Sequence, residues 1–210
     1  MQILVVAATE MEIQPFLAQN MLVEYLITGV GMPACMFRLH KQLQQTKYDC
    51  VIQAGIAGTF NAGIALGETV LVEHDCFADL GIFENNKLVT LFEAGFINQN
   101  ERPYTNGWLR NETQWLHHFA LPKKNGITVN MITQNVSMIE EYRRIYNPEI
   151  ESMEGAALHY VCLMENIPFL QLRSVSNMAG ERDKSKWNIA AAVHNLNNHL
   201  IEITEVLKKH

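Results

Sequence analysis

The stretch QILVVAA at residues 2–8 decides the fold, because it is a nearly continuous apolar run rich in Ile and Val. Such a run is typical of a strand that other elements cover on both faces, as in α/β proteins. Similar short apolar runs recur later in the chain, at residues 24–28, 50–54, 69–73, 128–132 and 169–175. We expect each of them to form a strand of the same sheet.

Helical patterns lie between these runs and predict the layers that cover the sheet. They span residues 33–46, 138–146 and 154–165, and the clearest one closes the chain. In that last segment, aliphatic residues step by four and three and form one apolar stripe: Ile189, Val193, Leu196, Leu200, Ile203 and Leu207. Alternating strands and helices predict an α/β fold with helices on both faces of one sheet. We expect a single domain over residues 1–210.

Residues 77–122 form a long segment without a sustained period. The segment holds several aromatic residues and turn-forming residues such as Pro103 and Gly107. A stretch of this length without clear elements is more often functional than a plain connector. We therefore expect it to belong to the region of the functional site.

The composition argues against several classes of function. Of the 210 residues, 22 are acidic and 16 are basic, which gives a formal net charge of −6. This excess of acid removes the attraction on which non-specific nucleic-acid binding depends. The apolar runs are far shorter than the roughly 20 residues of a membrane span, and the first residues lack the features of a signal peptide. We expect a cytoplasmic protein that binds neither nucleic acid nor membranes.

Four loops are the candidate positions for chemistry, because ligands of open α/β sheets bind where loops follow the carboxyl ends of strands. These loops lie at residues 7–12, 54–59, 151–157 and 176–183. Three of them carry carboxylates or amides, and those side chains form the candidate site.

Glu12, in the first of these loops, has two interpretations. Either it closes a capping box with Thr9 at the start of a helix, or it is a loop carboxylate at the end of the first strand. In a capping box, Pro15 would be the sixth helical residue, where a proline costs about 3 kcal/mol. Pro15 fits better in the first turn of a helix that begins near residue 14. We therefore expect Glu12 to be a loop carboxylate.

Glu154 and Asn177 are ambiguous when each is taken alone. An acid in the first turn of a helix is favoured by the helix dipole, and an Asn after a strand often only stabilises a turn. The neighbours of Glu154 favour function, because the small residues 155–157 let a ligand approach closely and Met153 offers an apolar face. The Gly55–Gly58 loop lacks the Lys and Ser/Thr of a P-loop.

In their order along the chain, these segments resemble the hydrolytic branch of the nucleoside phosphorylase/nucleosidase superfamily. The resemblance is carried by AATEME at 7–12, GIAG at 55–58, GETVLV at 67–72, ESMEGAA at 151–157 and RSVSN at 173–177. Within that branch, FADLG at 77–81, PYTNGWL at 103–109 and the tail at 176–183 are similar to the futalosine hydrolase family. The resemblance implies a three-layer α/β/α fold with a central mixed, twisted sheet.

The resemblance also implies roles for individual residues. Glu12 would be the general base that activates a water molecule, and Glu154 would hold the ribose hydroxyls. The other residues expected to contact the substrate are Ile56, Ala57, Gly58, Val136 (or Met138), Met153, Ser176, Asn177 and Trp187, with Tyr104, Trp108 and Arg182 as further candidates for the 5′ substituent. Members of the superfamily generally assemble at least as dimers, so we expect a homodimer or higher homo-oligomer in which a neighbouring subunit completes part of the site.

Asn177 distinguishes between possible bases. Related adenine-specific nucleosidases carry an Asp at this place. An amide, in contrast, can donate a hydrogen bond to O6 of a 6-oxopurine through its nitrogen and accept one from a protonated N7 through its oxygen. The resemblance therefore implies hydrolysis of futalosine to hypoxanthine and dehypoxanthinyl futalosine, a step of menaquinone biosynthesis, without a metal or organic cofactor. The first two loops contain no Arg that could hold phosphate, which favours water as the nucleophile.

Two alternatives to this purine nucleoside substrate and reaction stay open. One is a 5′-methylthioadenosine/S-adenosylhomocysteine nucleosidase. The other is a protein on the same fold that binds nucleosides without turnover, although binding alone would not require a base such as Glu12.

Overall fold

The computed structural model describes residues 1–210 as ten strands, five helices and two short 3₁₀ turns. The strands are β1 (Ile3–Ala7), β2 (Glu24–Ile27), β3 (Cys50–Thr59), β4 (Thr69–Asp75), β5 (Gly81–Glu84), β6 (Lys87–Thr90), β7 (Leu109–Arg110), β8 (Lys123–Thr128), β9 (Ile150–Ser152) and β10 (Phe169–Met178). The helices are α1 (Glu10–Leu17), α2 (Met32–Gln45), α3 (Val136–Tyr146), α4 (Gly155–Glu165) and α5 (Ile189–Leu207). None of these helices combines the length and the apolar content needed to cross a bilayer.

One mixed sheet organises the chain, as predicted. Its strand order is β10-β4-β8-β9-β3-β1-β2, with β7 added beside β4. β10 also pairs with β3, so five of the strands close into a ring from which β1 and β2 extend. The β1–β3, β3–β10 and β8–β9 pairs are parallel, whereas β3–β9 and β4–β10 are antiparallel.

Apolar cores lie on both faces of the sheet, which confirms the three-layer α/β/α architecture. The larger core packs α1 and α5 against the sheet and includes Phe16, Leu196 and Leu200. The core on the other face joins α2 and α4 to β1 and β3, through residues such as Leu39 and Leu158. The stripe predicted for the last helix faces the first of these cores, because burying that stripe removes the most apolar surface from water.

The predicted strand at residues 128–132 is wrong. The structure instead has β8 at Lys123–Thr128, and the chain beyond Val129 turns away from the sheet. The polar first half of β8 pairs with β4, and its second half pairs with β9, so the strand lies between these two neighbours in the sheet. Backbone pairing, which the side-chain pattern does not report, therefore determines this strand.

β3 and β10 are both longer than the apolar runs that predicted them. Their pairing extends from Val51–Phe169 to Thr59–Met178, with one irregularity between Val175 and Asn177. The last part of each strand carries small and polar residues, so no apolar pattern marks it. This extension carries several of the predicted site residues to one edge of the sheet.

Gly155 begins α4 at a place that has no room for a side chain. A methyl group there would overlap the amide of Gln171 and the carboxyl of Asp75, both fully buried. We expect Gly155→Ala to lower the free energy of unfolding by about 1–3 kcal/mol, because the added methyl group overpacks the surrounding core. Denaturant titration measures the change.

The matched control is Gly63→Ala, since a methyl group at Gly63 meets only the flexible side chain of Asn61. It should change the free energy of unfolding by no more than ~0.5 kcal/mol. An equal loss of stability in both variants would contradict the packing described for Gly155.

Candidate active site

The carboxyl ends of β1, β3, β9 and β10 meet at one cavity of about 220 Å³. All of the principal predicted residues except Val136 line it: Glu12, Ile56, Ala57, Gly58, Met153, Glu154, Ser176, Asn177 and Trp187. The further candidates do not line it: Met138, Tyr104, Trp108 and Arg182. Segments that are far apart in sequence thus converge on one place, as expected for loops at one edge of a sheet.

Val136 does not line this cavity. It begins α3 and is 67% exposed, and Ile132 from the preceding loop lines the cavity in its place. The loop between β8 and α3 starts earlier than predicted, because β8 ends at Thr128. Residues nearer to the end of that strand therefore reach the cavity.

The expectation that residues 77–122 belong to the site is wrong for this cavity, since none of them lines it. Tyr104 packs instead on Phe92 and Tyr160, with ring centroids 5.2 and 6.2 Å apart. Trp108 lies against His74 and Tyr146. Tyr104 and Trp108 are thus used in packing rather than at this cavity.

Glu12 closes a capping box, and the expectation of a loop carboxylate is wrong. α1 begins at Glu10, and Glu12 Oε2 accepts hydrogen bonds of 3.0 Å from both the backbone N–H and the hydroxyl of Thr9. Pro15 lies inside α1, but it is exposed and removes one hydrogen bond from a helix of eight residues. The two interpretations of Glu12 are compatible, because the capping carboxylate also lines the cavity.

The second carboxylate oxygen of Glu12 faces β3. Its Oε1 accepts a hydrogen bond of 3.1 Å from the backbone N–H of Ile56. Glu12 is only 6% exposed, and each of its oxygens has a donor from the protein. These contacts fix the orientation of the carboxylate and leave its remaining lone pairs for a ligand or a water molecule.

Glu154 lies at the N-cap of α4 and is also buried. Its Oε1 accepts a hydrogen bond of 2.7 Å from the backbone N–H of Gly31, a residue whose φ of +92° favours glycine. Burial raises the pKa of Glu154, whereas the positive charge of Arg173 acts in the opposite direction and the nearby Glu12 adds to the increase.

Arg173 is a component of the site for which the sequence suggested no role. It is 1% exposed, lies on β10 and donates to Gln53 Oε1. In the parallel register it is opposite Gly55, and a side chain on Gly55 would collide with the guanidinium and come within 3.0 Å of Glu12 Oε1. The missing side chain lets Arg173 approach Glu12. An arginine within the apolar run 169–175 was the available signal, because charges are buried only with partners.

Asn177 is oriented by its neighbour in the sequence. The hydroxyl of Ser176 donates to Asn177 Oδ1 at 2.7 Å, and Asn177 Nδ2 donates to the carbonyl of Met178 at 2.8 Å. Nδ2 also lies close to Gly58, where a Cβ would be 3.4 Å away. The amide therefore presents its nitrogen toward Gly58, and its second N–H is available to a ligand.

Glu151 is a further carboxyl in the cavity that the sequence reasoning did not assign to the site. It lies on β9 and is 6% exposed. Burial raises the pKa of Glu151 to about 7, with Arg182 acting in the opposite direction and Asp79 adding to the increase.

The arrangement of charges determines what the site can do chemically. Glu12 and Glu154 are both held by backbone N–H groups in one cavity, with the buried Arg173 close to them. A fixed carboxylate of this kind can take a proton from a water molecule, and a second one can accept hydrogen bonds from hydroxyl groups. The guanidinium offsets the repulsion between the two carboxylates.

Known proteins resemble this chain in both sequence and fold. The model of the phosphorylase superfamily matches residues 3–208. The chain is 30% identical over 174 residues to a futalosine hydrolase of Thermus thermophilus, and this match covers 80% of the chain and 75% of the relative.

Solved structures with low sequence identity share the fold. A mutant of the Helicobacter pylori methylthioadenosine nucleosidase, with 5′-methylthioadenosine in its active site, superposes with a TM-score of 0.81 at 14% identity, over 97% of this chain and 98% of that one. The futalosine hydrolase of Helicobacter pylori superposes with a TM-score of 0.79 at 14% identity, over 97% of each chain. With the match to the family model and the relative from Thermus, the assignment is clear. The chain belongs to the phosphorylase superfamily and, within it, to the family of the futalosine hydrolases.

Proposed function

We propose that this protein hydrolyses the N-glycosidic bond of futalosine and releases hypoxanthine and dehypoxanthinyl futalosine, a step of menaquinone biosynthesis. The observation that carries the proposal is the convergence of Glu12, Glu154 and Asn177 on one cavity. Membership of the futalosine hydrolase family supports the same substrate.

Glu12 is the proposed general base. Breaking the bond between a purine and ribose gives the sugar oxocarbenium character while the leaving base gains negative charge. A water molecule beside Glu12 would attack C1′ and give up its proton to the carboxylate. The donors from Thr9 and Ile56 hold the carboxylate in place, so little reorganisation accompanies the proton transfer.

Glu154 is the proposed ribose ligand. Its carboxylate can accept hydrogen bonds from the sugar hydroxyls and favours the positive charge that develops on the ring. The N–H of Gly31 fixes one of its oxygens at 2.7 Å. Met153, beside it in the cavity, offers an apolar surface to the sugar.

Water is the proposed nucleophile because no free cation is available for phosphate among the groups around Glu12 and Glu154. Arg173 is fully buried and is bound to Gln53. Its charge offsets the two carboxylates. A phosphate dianion in the same cavity would be repelled by those carboxylates.

The proposed site for the 5′ substituent is the mouth of the cavity. Trp187 lines the cavity and is held by a hydrogen bond of 3.1 Å from its Nε1 to the carbonyl of Glu181. Met11, Val30 and Ile132 add exposed apolar surface. Such a surface suits the apolar part of the 5′ group of futalosine.

The same exposed rim supports the proposal of a homodimer or higher homo-oligomer, which we place in the cytoplasm on the sequence expectation alone. Met11 and Val30 are 55% and 58% exposed, although both line the cavity. Met131 and Val136, at 66% and 67%, extend this apolar surface. A neighbouring subunit on this face would cover the rim and close the site.

Chromatography of the released base tests the proposed reaction. The protein is incubated with futalosine, inosine and 5′-methylthioadenosine, each with and without phosphate. We expect hypoxanthine from futalosine at a rate that does not depend on phosphate. Faster release of adenine from methylthioadenosine would favour the alternative function, a methylthioadenosine nucleosidase.

Glu12→Gln tests the general base. The variant keeps the shape of the side chain but cannot accept the proton, so we expect kcat to fall by ~10²–10⁴-fold. Binding of hypoxanthine should persist, as measured by calorimetry. Glu10→Gln is the control, because it removes the same charge from an exposed side chain of the same helix turn. Wild-type turnover by Glu12→Gln would rule out the proposed base.

Asn177→Asp tests the choice of the base. An aspartate can accept a hydrogen bond from the amino group of adenine, where the Asn177 amide would place donor against donor. A mismatched buried hydrogen bond costs about 1–3 kcal/mol, so the ratio of kcat/KM for inosine to that for adenosine should fall by roughly 10-fold or more. An unchanged ratio would show that Asn177 does not select the base.

A further inference from the structure

The cavity contains a third carboxyl, Glu151, that the proposed mechanism does not use. The hydrogen bonds at the site engage Glu12 and Glu154, whereas the Glu151 carboxyl has no partner among the protein donors. It is nevertheless 6% exposed and lines the cavity. The Glu151 oxygens are not among the fully enclosed side-chain atoms that lack a partner, so they open on the cavity, where a ligand can donate to them.

The sheet register places Glu151 and Asn177 on either side of Gly58. Gly58 on β3 is the register partner of Glu151 on β9 and of Asn177 on β10. Residues directly opposite each other on neighbouring strands project from the same face of the sheet. The carboxyl and the amide thus project on the same side, two strand spacings or roughly 10 Å apart at their Cα atoms.

Gly58 leaves the space between these two side chains open. A Cβ at this position would lie 3.4 Å from Asn177 Nδ2 and 3.5 Å from Cα of Ala179. Without that atom, the backbone of β3 forms a floor between a carboxyl and an amide. A flat heterocycle bound over Gly58 would therefore have a carboxyl on one side and an amide on the other, and both groups can form hydrogen bonds with its edge.

We propose that Glu151 binds N1 of the base and, together with Asn177, selects a 6-oxopurine. The Glu151 carboxylate accepts the N1–H of hypoxanthine while the Asn177 amide donates to O6. Adenine has no hydrogen at N1, so its N1 lone pair would face the carboxylate oxygens. The inference rests on the proposed function in one respect, namely that the cavity binds a purine.

The groups around Glu151 determine its charge. Arg182 follows β10, Asp79 follows β4 and Tyr142 lies on α3, and each interacts electrostatically with Glu151. Glu12 and Glu154 line the same cavity from α1 and α4. Burial raises the pKa of Glu151 to about 7. Above this pH the carboxylate can accept N1–H, and below it the protonated acid can donate to N1 of adenine.

The test is calorimetric binding of free hypoxanthine and free adenine at pH 8 to the wild type, Glu151→Gln and Glu10→Gln. We expect the wild type to prefer hypoxanthine. In Glu151→Gln, the ratio of the adenine Kd to the hypoxanthine Kd should fall by ~10-fold or more, since a charge-assisted bond is replaced by a neutral one. Glu10→Gln, which removes the same charge from an exposed position, should keep the wild-type ratio.

A second measurement uses the wild-type protein alone. Between pH 6 and pH 8, hypoxanthine should bind more tightly and adenine more weakly as Glu151 loses its proton. The ratio of the two Kd values should therefore rise with pH. A ratio that does not change with pH, or that is unchanged in Glu151→Gln, overturns the proposal, and so does an equal change in Glu10→Gln.

Turnover of futalosine, measured in parallel, separates this inference from the proposed function. If futalosine is cleaved but the ratio of base affinities does not respond, the role of Glu151 is rejected and hydrolysis stands. If futalosine is not cleaved but the ratio falls as expected, base selection stands and hydrolysis is rejected. If neither base binds and futalosine is not cleaved, both are rejected.

Discussion

The buried guanidinium of Arg173 is the charge on which the rest of the site depends. It lies near Glu12 and Glu154, which are far apart in the sequence. Two buried carboxylates repel each other and lose hydration, and a buried cation offsets both effects. Removing one partner from such a group typically costs about 3–5 kcal/mol. The electrostatics that prepare the site therefore also stabilise the fold around it.

The pairing of β3 with β10 places two polar side chains of β10 opposite glycines of β3. Arg173 is opposite Gly55 in the register, and Asn177 is opposite Gly58. At Gly55 the missing side chain leaves room for the guanidinium of Arg173, whereas a Cβ at Gly58 would lie 3.4 Å from Asn177 Nδ2, an ordinary contact distance. The first pair determines the charge beside Glu12 and Glu154, and the second lies at the proposed base-binding end. One strand pair thus fixes the spacing between the two halves of the site.

The fold and much of the candidate site could be predicted from the sequence. Apolar runs mark the strands whose side chains are buried, and small residues such as those at 155–157 mark close approach. The pattern failed at β8, where backbone pairing on both sides outweighs polar side chains. It also failed at Pro15, because the estimated cost of a proline applies to the interior of a long helix and α1 has eight residues.

Two charged residues could not be assigned to the site from the sequence, and the physical reason is the same for both. Arg173 and Glu151 are charged side chains within strands, and their importance depends on which strand lies next to them. Register across a sheet is a long-range property that no local pattern contains. Val136 shows the opposite error, since it was placed at the site by resemblance and the earlier end of β8 brings Ile132 there instead.

The source of the oxygen atom that enters the sugar product tests hydrolysis most directly. The protein is incubated with futalosine in ¹⁸O-labelled water that contains phosphate, and the mass of dehypoxanthinyl futalosine is measured together with released hypoxanthine. If water is the nucleophile, the sugar product carries one ¹⁸O atom for each hypoxanthine released, and no sugar phosphate forms. A sugar phosphate in its place, or no release of hypoxanthine, would contradict the proposed reaction.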